Sequence, residues 1–197
     1  MTLILAATDR DGTVAMAADR LIAIGDRTMT ATRPKIWRTD AAGTPMLLGV
    51  CGLLRVADVL GTFRPPRIPE ELAPTPAAYV RSVLVPALEA HVVAALGRLT
   101  NGRGLLDGSE LVVAMAGFVG VVSADLAVIE TADGIAASGT GGLAGRAALR
   151  ALGNLQTPAF RVAHVVGIVA EVQPGSVGGG VDVLELPTAR APADAAA

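Results

Sequence analysis

The chain has 197 residues, of which 52% are hydrophobic, and a formal net charge of −2. This length suits one domain with a substantial core, and the apolar excess predicts strands buried on both faces or a large subunit interface. The nearly neutral charge, without a basic run, argues against nucleic acid as a partner. The single cysteine, Cys51, rules out an internal disulfide framework and is typical of a reducing compartment, so we predict a cytoplasmic protein.

Neither the N-terminus nor any apolar run indicates a membrane protein. Residues 1–7 lack the basic region of a signal peptide. The longest apolar stretch, 111–124, is shorter than a membrane span and is interrupted by Gly117 and Gly120. The sequence therefore predicts no membrane association.

Short strands dominate the first quarter of the chain. An Asp11-Gly12 turn between two apolar runs predicts a β-hairpin, whose ladder brings Thr2 and Asp19 to the same end. Two further strand pairs should follow before the first helix. The predicted pairs are 3–7 with 13–18, an irregular pair within 21–33, and 35–38 with 45–52.

The rest of the chain alternates helices and strands. Thr75 is a predicted N-cap, with Pro76 at the first position of a long helix that should end near Leu99. The predicted helices are 53–63, 76–99, 143–152 and 158–171, and the predicted strands are 110–115, 119–123, 126–129, 135–138 and 181–186. This order predicts an α+β domain over residues 1–188, with two face-to-face sheets covered by helix pairs. The Ala/Pro-rich tail 189–197 is predicted to be disordered.

Lys35 is the only lysine, and the other basic residues are arginines. An ammonium is compact and its pKa shifts readily on burial, whereas a guanidinium stays charged, so a lone lysine is a candidate for chemistry. Thr2 could supply a nucleophilic hydroxyl and, once exposed at the N-terminus, an α-amine as base. Asp19 is the carboxylate that could hold the ammonium in place. These three residues form the predicted catalytic set.

Other chemical readings of the sequence are weaker. His91 and His164 lie within predicted helices and are expected to be helix-face residues, and Cys51 is expected to be a small buried hydrophobe. The turn 139–142 lacks the spacing of a dinucleotide loop, and no βαβ alternation surrounds it. A non-catalytic shell protein that retains Met1 stays open as the alternative to an enzyme.

Several motifs occur in a characteristic order: Thr2-Leu3-Ile4, VAMAADR at 14–20, 25–29, KIWR at 35–38, LGVCG at 48–52, Ala57-Asp58 and SGTGG at 138–142. Together they resemble the proteasome β-subunit family, and most closely its bacterial HslV-type branch. The resemblance covers residues 2–152, with a weaker match to 186. It implies a four-layer αββα sandwich of the N-terminal-nucleophile hydrolase class.

The resemblance also implies roles for individual residues. Thr2 would be the nucleophile after removal of Met1, beside the Lys35 ammonium and its partner Asp19, and Gly52 would donate its N–H to the oxyanion. The loop around Val50 would line an apolar pocket for the residue that precedes the scissile bond. Thr140 replaces the family's serine, and Glu171 replaces its aspartate near the end of the last helix. The position of the family's last serine stays open, with Ser176 the nearest.

Assembly and partners are implied in the same way. The family forms stacked rings, here expected to be hexameric or heptameric, with the sites facing an inner chamber. An ATP-dependent unfoldase would then deliver protein substrates, while short peptides enter unaided. Peptide hydrolysis would need no cofactor, and a structural monovalent cation stays open.

Overall fold

A computed structural model describes residues 2–24, 26–97 and 104–188. Met1, the predicted helix end at Leu99 and the predicted tail 189–197 lie outside the described residues. The strands are β1 (Ile4–Thr8), β2 (Val14–Asp19), β3 (Leu21–Ile24), β4 (Arg27–Thr30), β5 (Ile36–Ala41), β6 (Thr44–Cys51), β7 (Glu110–Met115), β8 (Phe118–Val122), β9 (Val128–Glu130), β10 (Ile135–Ser138) and β11 (Val181–Leu186). The helices are α1 (Leu54–Leu60), α2 (Pro76–Leu96), α3 (Gly142–Leu152) and α4 (Pro158–Val172), with a short 3₁₀ turn at Glu70–Leu72.

Two antiparallel sheets form the centre of the domain. The first has the strand order β10-β1-β2-β11, and the second has the order β5-β6-β7-β8-β9. Pairing of Leu5 with Ala17 sets the register of the N-terminal hairpin. Strands β3 and β4 form a separate two-stranded ladder. The predicted hairpin around Asp11-Gly12 is confirmed, and Gly12 there has a φ of +85°, which glycine adopts without strain.

The alternation of side chains along β1 and β2 explains the apolar composition. Leu3, Leu5 and Ala17 face a helix layer, where they pack with residues of α3 and α4 such as Leu149 and Val165. The alternate residues, among them Ile4 and Met16, face the second sheet and contact Leu47 and Val112. The outer face of the second sheet packs against α1 and α2. Both sheets are therefore covered on both sides, and the predicted four-layer arrangement is confirmed.

Helix α2 begins at Pro76, as predicted, although the Thr75 side chain makes no capping bond to it. The helix packs on the second sheet through Tyr79, Leu84 and Leu88. The Tyr79 hydroxyl donates to the Pro66 carbonyl oxygen over 2.7 Å, and burial raises the pKa of this phenol to about 12. By length and composition alone, this helix could cross a membrane, a test that core helices of soluble proteins also pass.

Three predicted boundaries are wrong by two or three residues. Helix α1 ends at Leu60 instead of Phe63, and β5 extends to Ala41 instead of ending at Arg38. The third error concerns β9. The strand was expected to begin at Leu126, but it begins at Val128. Leu126 has a φ of +69° and its N–H donates to the Ser123 carbonyl oxygen, so it belongs to the turn between β8 and β9. An apolar side chain in a tight turn carries no local sequence signal that distinguishes it from the first residue of a strand.

Candidate active site

Asp19, at the end of β2, connects the first strand to two loops. Its side chain is fully buried. Oδ1 accepts the N–H of Leu3 over 2.9 Å, and Oδ2 accepts the N–H groups of Leu21 and Gly178 over 3.1 and 3.2 Å. The carboxylate therefore holds the residue next to Thr2, the start of β3 and the loop before β11 in one arrangement.

Lys35 contacts this carboxylate directly. Its Nζ donates to Asp19 Oδ1 over 2.7 Å and to the Leu21 carbonyl oxygen over 2.6 Å. The lysine side chain is only 11% exposed. Burial lowers the pKa of the Lys35 ammonium, and the hydrogen bond and charge of Asp19 act against that shift. The predicted pairing of Asp19 with Lys35 is thus present in the fold.

Thr2 and Lys35 line one cavity of about 420 Å³. Gly52 lies at its edge, and its remaining wall is mainly apolar, formed by Ile22, Met29, Trp37, Val50, Leu54 and Ala57. Arg33 and Asp58 also line it and form an exposed ion pair of 2.6 Å. A cavity of this size with apolar walls and a few convergent polar groups is typical of a small-ligand or side-chain site.

Two glycines allow the backbone to approach the Thr2 region closely. Gly52 has a φ of +121°, and a Cβ there would lie 2.6 Å from the Cα of Ser109. The Ser109 hydroxyl accepts the N–H of Leu53 over 2.9 Å and so holds this turn in place. Gly139 has a φ of +92°, and a Cβ there would collide with the carbonyl oxygen of Thr2. Only glycine fits at either position without displacement of its neighbour.

A second recess, of about 280 Å³, is also lined by Thr2 and Gly52. Its other lining residues are Cys51, Gly108, Glu110, Gly139 and Thr140. Cys51 is buried as expected, but it is not only a hydrophobe, because its Sγ lies 2.6 Å from the hydroxyl of Ser138. Ser138 in turn donates to Glu110 Oε2 over 2.5 Å. No local sequence pattern indicates this Cys51–Ser138–Glu110 cluster, because its members are far apart in the chain.

Five of the six predicted site residues gather at these two recesses: Thr2, Asp19, Lys35, Gly52 and Thr140. The structure does not bring Glu171 to them. Glu171 is exposed and lines a different recess, together with Phe160 and His164. The buried face of α4 includes Val165 and Val169, and two residues further along an α-helix the side chain has turned by about 200°.

The segment that follows α4 reaches the site through a turn and a backbone contact with Asp19, and not through Glu171. Gln173 follows the helix, and its side-chain Oε1 is buried. The N–H of Ser176 donates to the Gln173 carbonyl oxygen over 2.9 Å, which closes a turn, and Gly178 then reaches Asp19. Residues 173–176 therefore form a compact turn. Gln173 lies between the end of α4 and Pro174, and nothing in the local sequence indicates that its side-chain oxygen would be buried.

The two histidines lie on helix faces, as expected. His91 contacts the Val59 carbonyl oxygen over 3.0 Å, and His164 stacks on Phe160. Within residues 2–24, 26–97 and 104–188, no three His, Cys, Asp or Glu side chains are grouped in the way that a metal site would need.

Sequence comparison finds no matching family model and no matching curated protein. Structural comparison does find similar folds. Eukaryotic HslV from Trypanosoma brucei superposes with a TM-score of 0.65 at 22% identity, over 94% of this chain and 99% of that chain. BPH from Thiobacillus denitrificans gives a TM-score of 0.70 at 17% identity, over 95% of this chain and 100% of that chain.

Two further structures extend the comparison. BPH from T. denitrificans in complex with epoxomicin gives a TM-score of 0.68 at 17% identity, over 93% of this chain and 97% of that chain. Anbu, an ancestral β-subunit from Yersinia bercovieri, gives 0.66 at 15% identity, over 94% of this chain and 81% of that chain. The fold expected from the sequence motifs is confirmed: the chain has the proteasome-type fold of N-terminal-nucleophile proteins.

Proposed function

We propose that this protein is a threonine endopeptidase subunit whose nucleophile is Thr2, exposed by removal of Met1. One observation carries the proposal. The ammonium of Lys35, held by the buried carboxylate of Asp19, belongs to the same cavity that Thr2 lines. A cation in the same cavity as the threonine can lower the pKa of the neighbouring amine and stabilise negative charge on the hydroxyl oxygen, which would activate the nucleophile.

The proposed chemistry uses only groups of the chain itself. The α-amine of Thr2, with an ordinary pKa of about 7.7–8.0, takes the proton as Oγ attacks the peptide carbonyl carbon. The nearby Lys35 ammonium favours the neutral amine and stabilises negative charge on Oγ. The Gly52 N–H would donate to the oxyanion of the tetrahedral intermediate. The α-ammonium then gives its proton to the leaving nitrogen as the C–N bond breaks, which leaves an ester on Thr2 Oγ. Water, deprotonated by the same α-amine, hydrolyses this ester to a carboxylic acid and returns the free Thr2 hydroxyl. No cofactor takes part in these steps.

The walls of the larger cavity suggest which residue it accepts. Val50, Trp37 and Leu54 line it with apolar surface. We therefore expect an apolar side chain immediately before the scissile bond. The Arg33–Asp58 pair at the cavity is exposed, and its two charges largely offset each other, so it adds little preference for a charged residue.

Assembly into stacked hexameric or heptameric rings is part of the proposal, and the fold shared with HslV supports it. Rings would enclose the sites in a chamber, which folded proteins could not enter without an ATP-dependent unfoldase. Native mass spectrometry tests the ring state directly. A stable monomer at micromolar concentration would contradict the chamber.

Intact-protein mass before and after incubation with a peptide epoxyketone tests the catalytic proposal. This reagent requires both a threonine hydroxyl and a free adjacent amine. We expect loss of Met1 and one adduct on Thr2, and no adduct on a Thr2→Ala variant. A protein that retains Met1 and forms no adduct would instead be the non-catalytic shell protein, and the assigned roles of Thr2 and Lys35 would be wrong.

A further inference from the structure

Thr2 and Gly52 lie between two recesses of different chemistry. The larger one is apolar and contains Val50, and the smaller one contains Glu110 and Thr140. If the larger recess takes the side chain before the scissile bond, the residue after that bond needs a different recess that also borders the nucleophile, and the smaller recess is lined by Thr2 as well. The smaller recess then receives the residue that follows the bond.

Glu110, at the start of β7, places its carboxylate beside this smaller recess. Oε2 lies 2.5 Å from the Ser138 hydroxyl, which donates to it, and 3.9 Å from Sγ of Cys51. Ser138 is 2% exposed and Cys51 is 6% exposed, so these contacts hold the carboxylate in a defined position.

Glu110 has no cationic partner among residues 2–24, 26–97 and 104–188, although its side chain is partly buried. Its Oε1 accepts no hydrogen bond within the same residues. Glu110 also lines a neighbouring cavity, which contains Arg146 and Glu130. Arg146 is paired with Asp133 over 2.7 Å, and Glu130 is paired with Arg81. The adjacent ion pairs are therefore complete, and neither of these arginines is left over to pair with Glu110.

A partly buried carboxylate without a cation is unfavourable, and a ligand that supplies the cation gains from it. We propose that Glu110 binds the cationic side chain of the residue immediately after the scissile bond, so that the enzyme prefers lysine or arginine there. This inference rests on the proposed peptidase function. Glu110 would determine specificity for the residue after the scissile bond. It is distinct from the groups that act on the peptide carbonyl.

Three internally quenched peptides test this preference. They are identical except that lysine, norleucine or glutamate follows the scissile bond, and norleucine has the length of lysine without its charge. We expect kcat/KM for lysine to exceed that for norleucine by roughly threefold to tenfold, with glutamate lowest. In Glu110→Gln, the lysine-to-norleucine ratio should fall to about one, because the charge that distinguishes the two peptides is gone.

A matched control is Glu130→Gln, which removes an acidic side chain already paired with Arg81 and should keep the wild-type ratio. If Glu110→Gln does not fold, salt provides a second measurement on the wild type. The lysine preference should shrink between about 50 mM and about 500 mM salt, since the charges attract less at high ionic strength.

The outcomes separate this inference from the proposed function. Peptide aminocoumarins carry no residue after the scissile bond, so their cleavage reports the peptidase activity alone. If aminocoumarin peptides are cleaved but the lysine and norleucine peptides are cleaved at equal rates, the role of Glu110 is overturned and the proposed peptidase activity is not. A lysine preference that persists in Glu110→Gln would also overturn it. Failure to cleave any substrate, together with no epoxyketone adduct, would overturn both.

Discussion

Lys35 Nζ lies 2.7 Å from Asp19 Oδ1, and this same oxygen accepts the N–H of Leu3, the residue that follows Thr2. The ammonium and the start of β1 therefore share one acceptor atom. Any shift of the Asp19 carboxylate would move both of them. The pair that is proposed to serve catalysis is thus also part of the framework that positions the N-terminal strand.

Replacement of Asp19 by asparagine should destabilise the fold. The amide has one acceptor oxygen in place of two, so it cannot accept from Leu3, Leu21 and Gly178 and also pair with Lys35. It would leave a buried ammonium without its counter-charge, and we expect a loss of about 3 kcal/mol or more in the free energy of unfolding. Urea denaturation measures this loss.

Asp182→Asn is the matched control for that variant. Asp182 pairs with Arg20, whose side chain is 39% exposed, so its replacement should reduce the free energy of unfolding by only about 1 kcal/mol or less. Equal losses for the two variants would contradict the structural role assigned to Asp19.

Replacement of Lys35 by arginine should abolish turnover while the protein still folds. Nζ fits between Asp19 Oδ1 and the Leu21 carbonyl oxygen, at 2.7 and 2.6 Å, and the broader guanidinium cannot place its charge at that point. We expect kcat/KM to fall by a factor of about 100 or more. Peptide aminocoumarin hydrolysis measures the rate, and circular dichroism monitors the fold. Arg38→Lys, an exchange on the exposed part of β5, should leave both unchanged.

Replacement of Gly139 by alanine should disturb the nucleophile. A Cβ at this position collides with the carbonyl oxygen of Thr2, and the φ of +92° is unfavourable for alanine. We expect a loss of about 1–3 kcal/mol in the free energy of unfolding and much slower epoxyketone labelling of Thr2. Gly175→Ala is the control, because a Cβ there meets nothing within 4 Å. Wild-type labelling in Gly139→Ala would mean that this loop does not position Thr2.

Cys51 should make the fold sensitive to alkaline pH. Burial raises the pKa of its thiol above the ordinary value of 9.0, against an opposing effect of the Ser138 hydrogen bond. Above pH 9.0 the thiol of the unfolded chain ionises, while the buried thiol of the folded chain stays protonated, and this difference favours unfolding. The stabilisation linked to the protonated thiol is therefore complete below pH 9.0 and is lost as the pH rises through the raised pKa. The free energy of unfolding should therefore fall as the pH rises above 9.0 toward the raised pKa of the folded thiol.

Cys51→Ala removes this titration. Its unfolding free energy, measured with urea at the same pH values, should depend less on pH than that of the wild type. Its absolute stability can differ at all pH values, since the substitution also removes buried atoms and the contact with Ser138. Identical pH profiles for the two proteins would show that Cys51 does not contribute to alkaline sensitivity.

Most of the fold was predictable because it depends on local patterns. The hairpin around Asp11-Gly12 and the strands β7, β10 and β11 follow from short apolar runs bounded by turn residues. The Thr2, Asp19 and Lys35 set was predictable for a related reason. The first hairpin fixes which end of the ladder carries Thr2 and Asp19, and Lys35 is distinguished by its uniqueness in an arginine-rich chain.

Tertiary packing decided the rest. Cys51, Glu110 and Ser138 are far apart in the sequence, and only the pairing of β6 with β7 and the face-to-face packing of the two sheets brings them together beside Thr2. In the same way, the rotation of α4 about its axis directs Glu171 outward. Local patterns determine which segments become strands and helices. Contacts between distant segments determine which polar side chains share a recess, and the preference proposed for the residue after the scissile bond depends on those contacts.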